Sequence, residues 1–448
     1  MHMKFVLAFL ILSFGALSTN AQIILTYAGT GTAGYSGDGG QATAATMDWP
    51  EGIIADRNGN IFFTDGNNFV VRKIDASGII TTIAGTGTSG FSGDGGIATS
   101  AALSYPRTVA TDTLGNIYIV DTDTSRIRKV NASGIISTIA GTGTAGYNGD
   151  GISATSARIN RPNSIALSKT GEIFFTDSYN YRLRKINNLG VISTVAGNGV
   201  SGNTGDGGQA TNASIGSNCY IALDYTGNIF IQEDSTFRIR KIATNGIITT
   251  IAGTGINTYS GDNGPATAAG LGNAGGIAID NNGNIYFSDE NHGRIRKIDA
   301  VTKIITTFIG DGTTCGFTGD GGPATSAQIC APFEISIDKN NVLYFCDLGN
   351  QRIRRVRLGL GVENTANEAA QITLSPNPAT AGAFTLNIKT GIPEAAQITI
   401  TNVTGSTVSA LQGETNKAME IQLNVPKGLY FVTVATSHGV WVEKVVVD

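Results

Sequence analysis

Short apolar runs separated by polar turns recur along most of the chain. In one representative unit these runs are Val109–Thr111, Ile117–Val120, Arg126–Val130 and Ile135–Ala140. Runs this short, with a turn about every 8–12 residues, predict an antiparallel β-meander. The second and fourth runs are apolar at nearly every position, so each small sheet is expected to pack between two neighbouring sheets.

A glycine-rich phrase, reading YSGDGG at residues 35–40, recurs in six versions. Its central aspartates are Asp38, Asp94, Asp150, Asp206, Asp262 and Asp320, spaced 56 residues apart except for a last step of 58. A period this strict indicates a repeat architecture with one four-stranded unit in each repeat. The sequence therefore predicts an all-β fold, a six-bladed β-propeller spanning residues 22–358.

The two ends of the repeat array complement each other. Ile23–Gly29 matches the fourth strand of other repeats, such as Ile79–Gly85, but stands alone before the first full unit. The last repeat stops after Arg352–Arg357 and lacks a fourth strand. We expect the N-terminal strand to complete the last blade and close the ring.

The repeats resemble the NHL repeat family. The matching residues in one copy are Gly115–Tyr118, Asp121 and Arg126–Lys129, and the pattern returns at Asn180–Ile186 and Asn291–Ile298. The resemblance implies a propeller of a kind that is mostly extracellular or interacts with proteins, although a few relatives are metal-dependent enzymes.

Residues 1–21 have the features of a cleaved secretory signal peptide. Lys4 supplies the positive start, Phe5–Phe14 an apolar run too short to span a bilayer, and Thr19–Ala21 a small-residue cleavage site. No other stretch of the sequence is long and apolar enough to predict a transmembrane helix. The chain is therefore predicted to leave the cytoplasm.

Residues 359–370 have no periodic pattern and are predicted to be a linker, and residues 371–448 are predicted to form a small β-sandwich. This module resembles the C-terminal sorting domain of the type IX secretion system. The matching residues are Ser375–Ala379, Asn402–Gly405, Lys427–Val432 and Lys444. The resemblance implies export through the periplasm, secretion machinery of the outer membrane as a partner, and an extracellular or cell-surface location.

Four cysteines occur in a chain that is predicted to enter an oxidising compartment. Cys315 and Cys330 bracket the one copy of the glycine-rich loop that is two residues longer, so they are the candidate disulfide. Cys219 and Cys346 lie in separate repeats and are candidates for buried free thiols. Sequence alone leaves all three connectivities open.

The six loop aspartates are predicted to be structural turn residues that accept hydrogen bonds from their own backbone amides. The alternative is a Ca²⁺ site in some loops, but each loop supplies one carboxylate and Ca²⁺ takes about six to eight oxygen ligands. No cofactor and no resident metal are expected. A second repeated carboxylate ends each second strand, as at Asp121, and is expected to pair with the Arg-x-Arg-Lys element that follows.

Functional residues are expected where the copies differ. The loops that lead into the first strand of each blade ring one mouth of the central channel, and they vary among the copies. The candidate ligand-binding residues are Trp49, Glu51, Tyr105, Arg107, Arg161, Asn163, Tyr220, Phe333 and Glu334. They mix aromatic groups with both signs of charge, as binding sites do. The alternative is that these positions vary because they are exposed and unconstrained.

The formal net charge of −4 over 448 residues gives no basic footprint for a nucleic acid. The leading hypothesis is a secreted, non-catalytic propeller that binds a peptide, glycan or protein at the channel mouth. The alternative is an extracellular Ca²⁺-dependent hydrolase or lyase that uses Glu51, Glu334 or loop aspartates on the same face. A third hypothesis is a purely structural unit of a larger surface protein.

Overall fold

The computed structural model describes residues 22–313, 315–358, 371–389, 395–403, 406–436 and 439–448. The predicted signal peptide at residues 1–21 and the predicted linker at 359–370 lie outside the described residues.

Six four-stranded antiparallel sheets form the blades of a propeller, as predicted. The strands in chain order are β1 (Ile24–Ala28); blade one, β2 (Pro50–Ala55), β3 (Ile61–Asp65), β4 (Val70–Ile74) and β5 (Ile80–Ala84); blade two, β6 (Pro106–Thr111), β7 (Ile117–Asp121), β8 (Arg126–Val130) and β9 (Ile136–Ala140); blade three, β10 (Pro162–Leu167), β11 (Ile173–Asp177), β12 (Arg182–Ile186) and β13 (Ile192–Ala196); blade four, β14 (Tyr220–Leu223), β15 (Ile229–Glu233), β16 (Arg238–Ile242) and β17 (Ile248–Ala252); blade five, β18 (Ala274–Ile279), β19 (Ile285–Asp289), β20 (Arg294–Ile298) and β21 (Ile305–Ile309); and blade six, β22 (Pro332–Ile337), β23 (Val342–Asp347) and β24 (Arg352–Arg357).

Short 3₁₀ helices punctuate the connections between strands. Six of them follow the glycine-rich loops, at Ala42–Ala44, Ala98–Ser100, Ala154–Ser156, Ala210–Asn212, Ala266–Ala268 and Ala324–Ser326. Four others follow a second strand, at Gly66–Asn68, Ser178–Asn180, Glu290–His292 and Leu348–Asn350. The described residues contain no α-helix.

The N-terminal strand closes the ring, as the sequence predicts. β1 pairs with β24, with Ile24 opposite Val356, so blade six has the order β1-β24-β23-β22. Ile24 also exchanges backbone hydrogen bonds with the glycine-rich loop, donating to Gly322 O and accepting from Gly321 N. Ile24 and Ala28 are fully buried, so the strand is anchored by packing as well as by its ladder.

A buried arginine occupies the middle of each third strand and binds two carboxylates. One is the residue that ends the second strand, at 3.2–3.5 Å, and the other is the loop aspartate, at 2.6–2.9 Å. The arginines are Arg72, Arg128, Arg184, Arg240, Arg296 and Arg354, each fully buried. The predicted pairing of the repeated carboxylates with the Arg-x-Arg-Lys element is therefore confirmed.

The expectation that each loop aspartate accepts its own loop's backbone amides was wrong. The loop containing Asp38 follows β1 of blade six, but Asp38 binds Arg72 and accepts from the Thr82 amide, both in blade one. The turn is closed by its backbone, with Gly40 N donating to Gly37 O, which leaves the carboxylate free to reach the next blade. The glycine-rich phrase therefore joins consecutive blades.

The aromatic residue that opens most copies of the phrase has a related role. Phe91 lies over the Arg126 guanidinium at 3.6 Å and near that of Arg128 at 4.8 Å. Tyr147, Tyr259 and Phe317 occupy the equivalent places in their blades. The aromatic faces cover the arginine layer and add cation–π attraction to it.

Cys315 and Cys330 form a disulfide across the lengthened sixth loop, and Cys219 and Cys346 are buried free thiols. The disulfide joins Cys315, in the surface loop, to Cys330, which lies two residues before the start of β22. It thereby ties the longest glycine-rich connection to the start of blade six.

The seven strands of the small C-terminal module form one continuous, nearly closed sheet. These are β25 (Gln371–Thr380), β26 (Ala383–Lys389), β27 (Ala395–Asn402), β28 (Thr407–Glu414), β29 (Ala418–Gln422), β30 (Gly428–Thr436) and β31 (Gly439–Val447). β25 pairs with both β26 and β31, so it links two groups of strands around one apolar core.

Candidate binding site at the channel head

Every first strand except β14 begins with a register shift that frees two residues from the ladder. The freed pairs are Glu51-Gly52, Arg107-Thr108, Asn163-Ser164, Gly275-Gly276 and Phe333-Glu334. Bulges of this kind redirect side chains and are common beside functional sites. We call the end of the channel formed by Glu51, Arg107, Asn163, Tyr220, Phe333 and Glu334 the channel head.

The residues just before these bulges have left-handed backbone conformations. Trp49 has φ 64°, Tyr105 φ 60° and Arg161 φ 46°, and none of them is a glycine. The Trp49 amide donates to Gln351 Oε1 of blade six at 2.7 Å, which fixes the turn against the neighbouring blade. This conformation turns the chain from the exposed edge of the channel mouth, which we call the rim, into the first strand of the blade.

Glu51 is the centre of a hydrogen-bond cluster. Its Oε1 accepts from Trp49 Nε1 at 2.8 Å and from the Tyr105 hydroxyl at 2.5 Å, while its Oε2 lies 3.7 Å from Arg107 Nε. Glu51 is only 2% exposed. Burial raises the pKa of its carboxyl, although Arg107 and the two donors oppose that shift.

Arg107 joins the acidic side of the channel head to its aromatic side. Its Nη2 donates to the Tyr220 hydroxyl at 3.0 Å, and its guanidinium lies 5.6 Å from the centre of the Phe333 ring. Tyr220 and Phe333 make an edge-to-face contact, with ring centroids 5.4 Å apart. Three blades thus contribute to one packed arrangement.

Glu334 lies at the boundary between the head and the channel. It lines a cavity of about 250 Å³ whose other lining side chains are mostly aliphatic, including Ile53, Ile277 and Ile335. Its Oε2 is buried and has no hydrogen-bond partner within the described part of the chain. Burial raises the pKa of this carboxyl well above its usual range, and the Glu51 charge adds to the shift while Arg107 opposes it.

Unsatisfied polar atoms converge here. Asn163 donates to Cys219 O at 3.0 Å, but its Oδ1 is buried without a hydrogen bond. Among the described residues Glu334 Oε2 likewise has no hydrogen bond, whereas Glu51 Oε2 and Arg107 Nε lack hydrogen bonds but face each other as an ion pair at 3.7 Å. A buried polar atom without a partner costs about 1–3 kcal/mol, so Asn163 Oδ1 and Glu334 Oε2 indicate a place where a ligand supplies partners.

The rim is more exposed and carries a separate ion pair. Trp49 is 40% exposed. Arg161 pairs with Asp123 at 2.9 Å and lies over Tyr179, so it stands apart from the Glu51 cluster. Of the nine candidates, Arg161 is therefore a rim residue, whereas Glu51, Asn163, Tyr220, Phe333 and Glu334 are buried. Solvent exposure does not explain the variation at those five positions.

Two acidic residues of this face were not predicted from the sequence. Asp234 and Glu290 each follow the carboxylate that ends a second strand, in blades four and five. The Ala274 amide donates to Asp234 Oδ1 and the Glu290 amide donates to Asn273 O, each at 3.1 Å, so both residues lie beside the first-strand loop of blade five. Burial, then the charge of Asp234, raises the pKa of Glu290 to about 7, with Arg107 opposing and Glu51 adding to the shift. The signal was available, because the other four copies have Gly66, Thr122, Ser178 and Leu348 at this position.

The loop aspartates lie away from the channel head. Each is engaged by a buried arginine in the layer described above. Within the described ranges no three histidine, cysteine, aspartate or glutamate side chains cluster in a way that could hold a metal ion.

Two family models match the chain. A Teneurin NHL domain model matches residues 17–92, 86–146 and 142–204, and a secretion system C-terminal sorting domain model matches residues 373–448. Among the residues that the structure describes, no helix is both long and apolar enough to cross a membrane.

Similar proteins include Teneurin-1 of Gallus gallus, 28% identical over 385 residues, which covers 76% of this chain but 14% of that protein. Teneurin-1 of Mus musculus is 27% identical over 261 residues, covering 51% of this chain and 9% of that protein. The chain therefore spans only a small part of the length of these relatives.

Solved structures share the fold. A protein of unknown function from Bacteroides thetaiotaomicron superposes with a TM-score of 0.57 at 16% identity, over 75% of this chain and 76% of that one. A structure called an auxiliary nutrient binding protein, from the same organism, gives a TM-score of 0.55 at 15% identity with the same coverage of both chains. At these identities the likeness shows the fold alone.

Proposed function

We propose, from the premise that this chain is a six-bladed NHL-repeat propeller followed by a secretion system C-terminal sorting domain, that it is an exported binding protein. Its ligand, a peptide, glycan or protein, binds at the channel head. The propeller is the rigid scaffold, and the unrepeated first-strand loops supply the recognition groups without catalysis.

One observation carries this proposal. The channel head holds two buried polar atoms without partners among the described residues, Asn163 Oδ1 and Glu334 Oε2, and Glu334 lines a cavity whose other side chains are mostly aliphatic. Binding sites are typically apolar concavities with a few convergent polar groups. A ligand that supplies the missing partners offsets a cost that the free protein carries.

Export is supported by the sorting domain matched at residues 373–448. The nutrient binding protein of similar fold fits an extracellular binding role, but it shares the fold alone. The channel head, rather than that likeness, therefore supports the choice of site.

The test is a screen of the chain, expressed without residues 1–21, on peptide and glycan arrays. The variants are Trp49→Ala, Arg107→Ala and Arg161→Ala, and the matched control is Glu172→Gln. Glu172 lies in the turn between β10 and β11, at the opposite end of the strands, where it pairs with Lys185. We expect a ligand whose binding falls at least tenfold in Arg107→Ala and Trp49→Ala and is unchanged in the control. Binding that survives all three head and rim substitutions would remove the site assignment.

A further inference from the structure

We propose that the channel head binds an alkylammonium group, such as a lysine side chain of a peptide or protein, with the ammonium held between Glu51 and Glu334. This inference rests on the proposed function and names the ligand class of that site.

The charge of the head favours a cation. Four carboxyl groups, from Glu51, Asp234, Glu290 and Glu334, face one guanidinium, that of Arg107. The pKa values of Glu290 and Glu334 both respond to Glu51 and Arg107, and that of Asp234 responds to Arg107, so the five groups act on one another through space. Arg161 is already paired with Asp123 and does not offset this excess.

The unpaired atoms favour a ligand rich in donors. Glu51 Oε1 already accepts two hydrogen bonds, Glu51 Oε2 has only the ion pair with Arg107 Nε at 3.7 Å, and Glu334 Oε2 accepts no hydrogen bond from the described residues. Glu334 is 9% exposed, and it lines the cavity that gives a ligand room to reach it. An ammonium group has three donors and no acceptor, which matches two carboxylate oxygens in need of donors.

The rim suits an alkyl stem. Trp49 and Tyr105 both hydrogen-bond to Glu51, so both side chains lie beside its carboxylate. Aromatic faces attract ammonium groups and pack against methylenes. The cavity of about 250 Å³ is smaller than the roughly 300–1,000 Å³ of sites for drug-sized ligands, so it fits one side chain better than an oligosaccharide.

A divalent cation fits less well. Ca²⁺ takes about six to eight oxygen ligands, and within the described residues no three carboxyl, histidine or cysteine side chains cluster in a way that could hold a metal ion. A monovalent ammonium needs fewer oxygens and forms directional hydrogen bonds that the two glutamates can accept.

Binding is expected to depend on pH. The pKa of Glu290 is about 7, and burial raises those of Glu51 and Glu334, so these groups hold protons that a bound cation displaces. Lysine remains charged below about pH 10. Affinity for the lysine ligand is therefore expected to rise between pH 6 and pH 8, with release of protons to the buffer.

The experiment titrates the chain, without residues 1–21, with acetyl-Gly-Lys-Gly-amide and with its norleucine counterpart, which has the same stem length without the ammonium. We expect the lysine peptide to bind at least tenfold more tightly. Glu334→Gln and Glu51→Gln keep the shape and remove the charge, so each is expected to weaken lysine binding at least tenfold, while Glu172→Gln leaves it unchanged. Circular dichroism checks that each variant is folded. Two independent glutamine variants keep the test decisive if one of them misfolds.

Three results would overturn the inference. The first is equal affinity for the lysine and norleucine peptides, or no binding of either at millimolar concentration. The second is an affinity for the lysine peptide that is unchanged in both folded glutamine variants. The third is Ca²⁺ binding that is lost in Glu334→Gln, without any binding of the lysine peptide. A glycan or neutral peptide that binds on the arrays and is lost in Arg107→Ala would overturn this inference and leave the proposed function standing. Array binding indifferent to the head would overturn both.

Discussion

Asp320 holds the closing strand to blade six with a single carboxylate. Its Oδ1 accepts from Arg354 Nη2 at 2.6 Å, and its Oδ2 accepts from the Thr26 amide at 3.0 Å. Asp320→Asn removes the charge and leaves one side-chain oxygen to serve both donors. The substitution therefore weakens a side chain that ties β1 to the buried arginine of its own blade.

The size of the effect follows from burial and charge. A hydrogen bond to a charged group contributes roughly 1.5–3 kcal/mol, and the Asp320 side chain is 32% exposed, so solvent screens part of it. Arg354 keeps Gln328 O and Asp347 as partners. We expect a loss of about 1–3 kcal/mol in the free energy of unfolding.

The assays are urea unfolding and hydrogen–deuterium exchange of the peptide that covers β1. Asp38→Asn is the matched control, because Asp38 makes the same two contacts, to Arg72 at 2.7 Å and to the Thr82 amide at 2.9 Å. A tight turn connects β5 to its partner β4, whereas β1 and its partner β24 lie at opposite ends of the propeller sequence. Both variants are expected to lose similar stability, but amide exchange is expected to accelerate more in β1 than in β5. Equal or unchanged exchange in the two strands would refute the view that Asp320 secures the closure.

Three further predictions concern the scaffold and the head. Arg128→Met leaves Asp121 buried without its cation and is expected to cost about 3–5 kcal/mol in urea unfolding, and a cost below about 1 kcal/mol would show that the arginine layer is dispensable. Replacing Cys315 and Cys330 with serine releases a 15-residue loop and is expected to cost about 3 kcal/mol, measured against the oxidised protein with the reduced wild type as a second reference. Glu334→Gln is expected to gain thermal stability relative to the wild type as pH rises from 5 to 8, because a carboxyl with a raised pKa in the folded state favours folding at low pH and loses that contribution as pH rises. A difference in melting temperature that is constant over this range would contradict the burial of an ionisable Glu334.

The blades could be predicted because their residues obey local rules that repeat six times. β-Branched runs, turn residues and the unmatched strand at Ile23–Gly29 each indicate structure without knowledge of distant contacts. In the C-terminal module the sequence predicts strands at Phe384–Ile388, Gln397–Val403, Met419–Val425, Leu429–Ala435 and Val440–Val447, but it predicts neither β25 nor β28. β25 contains Pro376 and Pro378, which read as breaks in a strand, and β28 is largely exposed and lies at the edge beside β27, so it lacks an apolar stripe.

The site could be placed but not assembled from the sequence. Alignment of the six repeats places Glu51, Arg107 and Glu334 on the same face of the propeller. Their burial depends on the β-bulges and on packing between blades, which the alignment does not show. Asp234 and Glu290 come from a different loop, and only the ring geometry brings them to the same mouth. Contacts between blades decide which carboxylate oxygen lacks a hydrogen-bond donor, and those contacts cannot be read from a local stretch of sequence.

The most direct measurement is a crystal structure of the chain bound to acetyl-Gly-Lys-Gly-amide. We predict that the lysine nitrogen lies about 3 Å from Glu334 Oε2 and Glu51 Oε2, with its methylenes beside Trp49 and Tyr105. Ligand density elsewhere on the propeller, with both glutamate oxygens satisfied by the protein's own donors, would contradict the assignment of the channel head as the binding site.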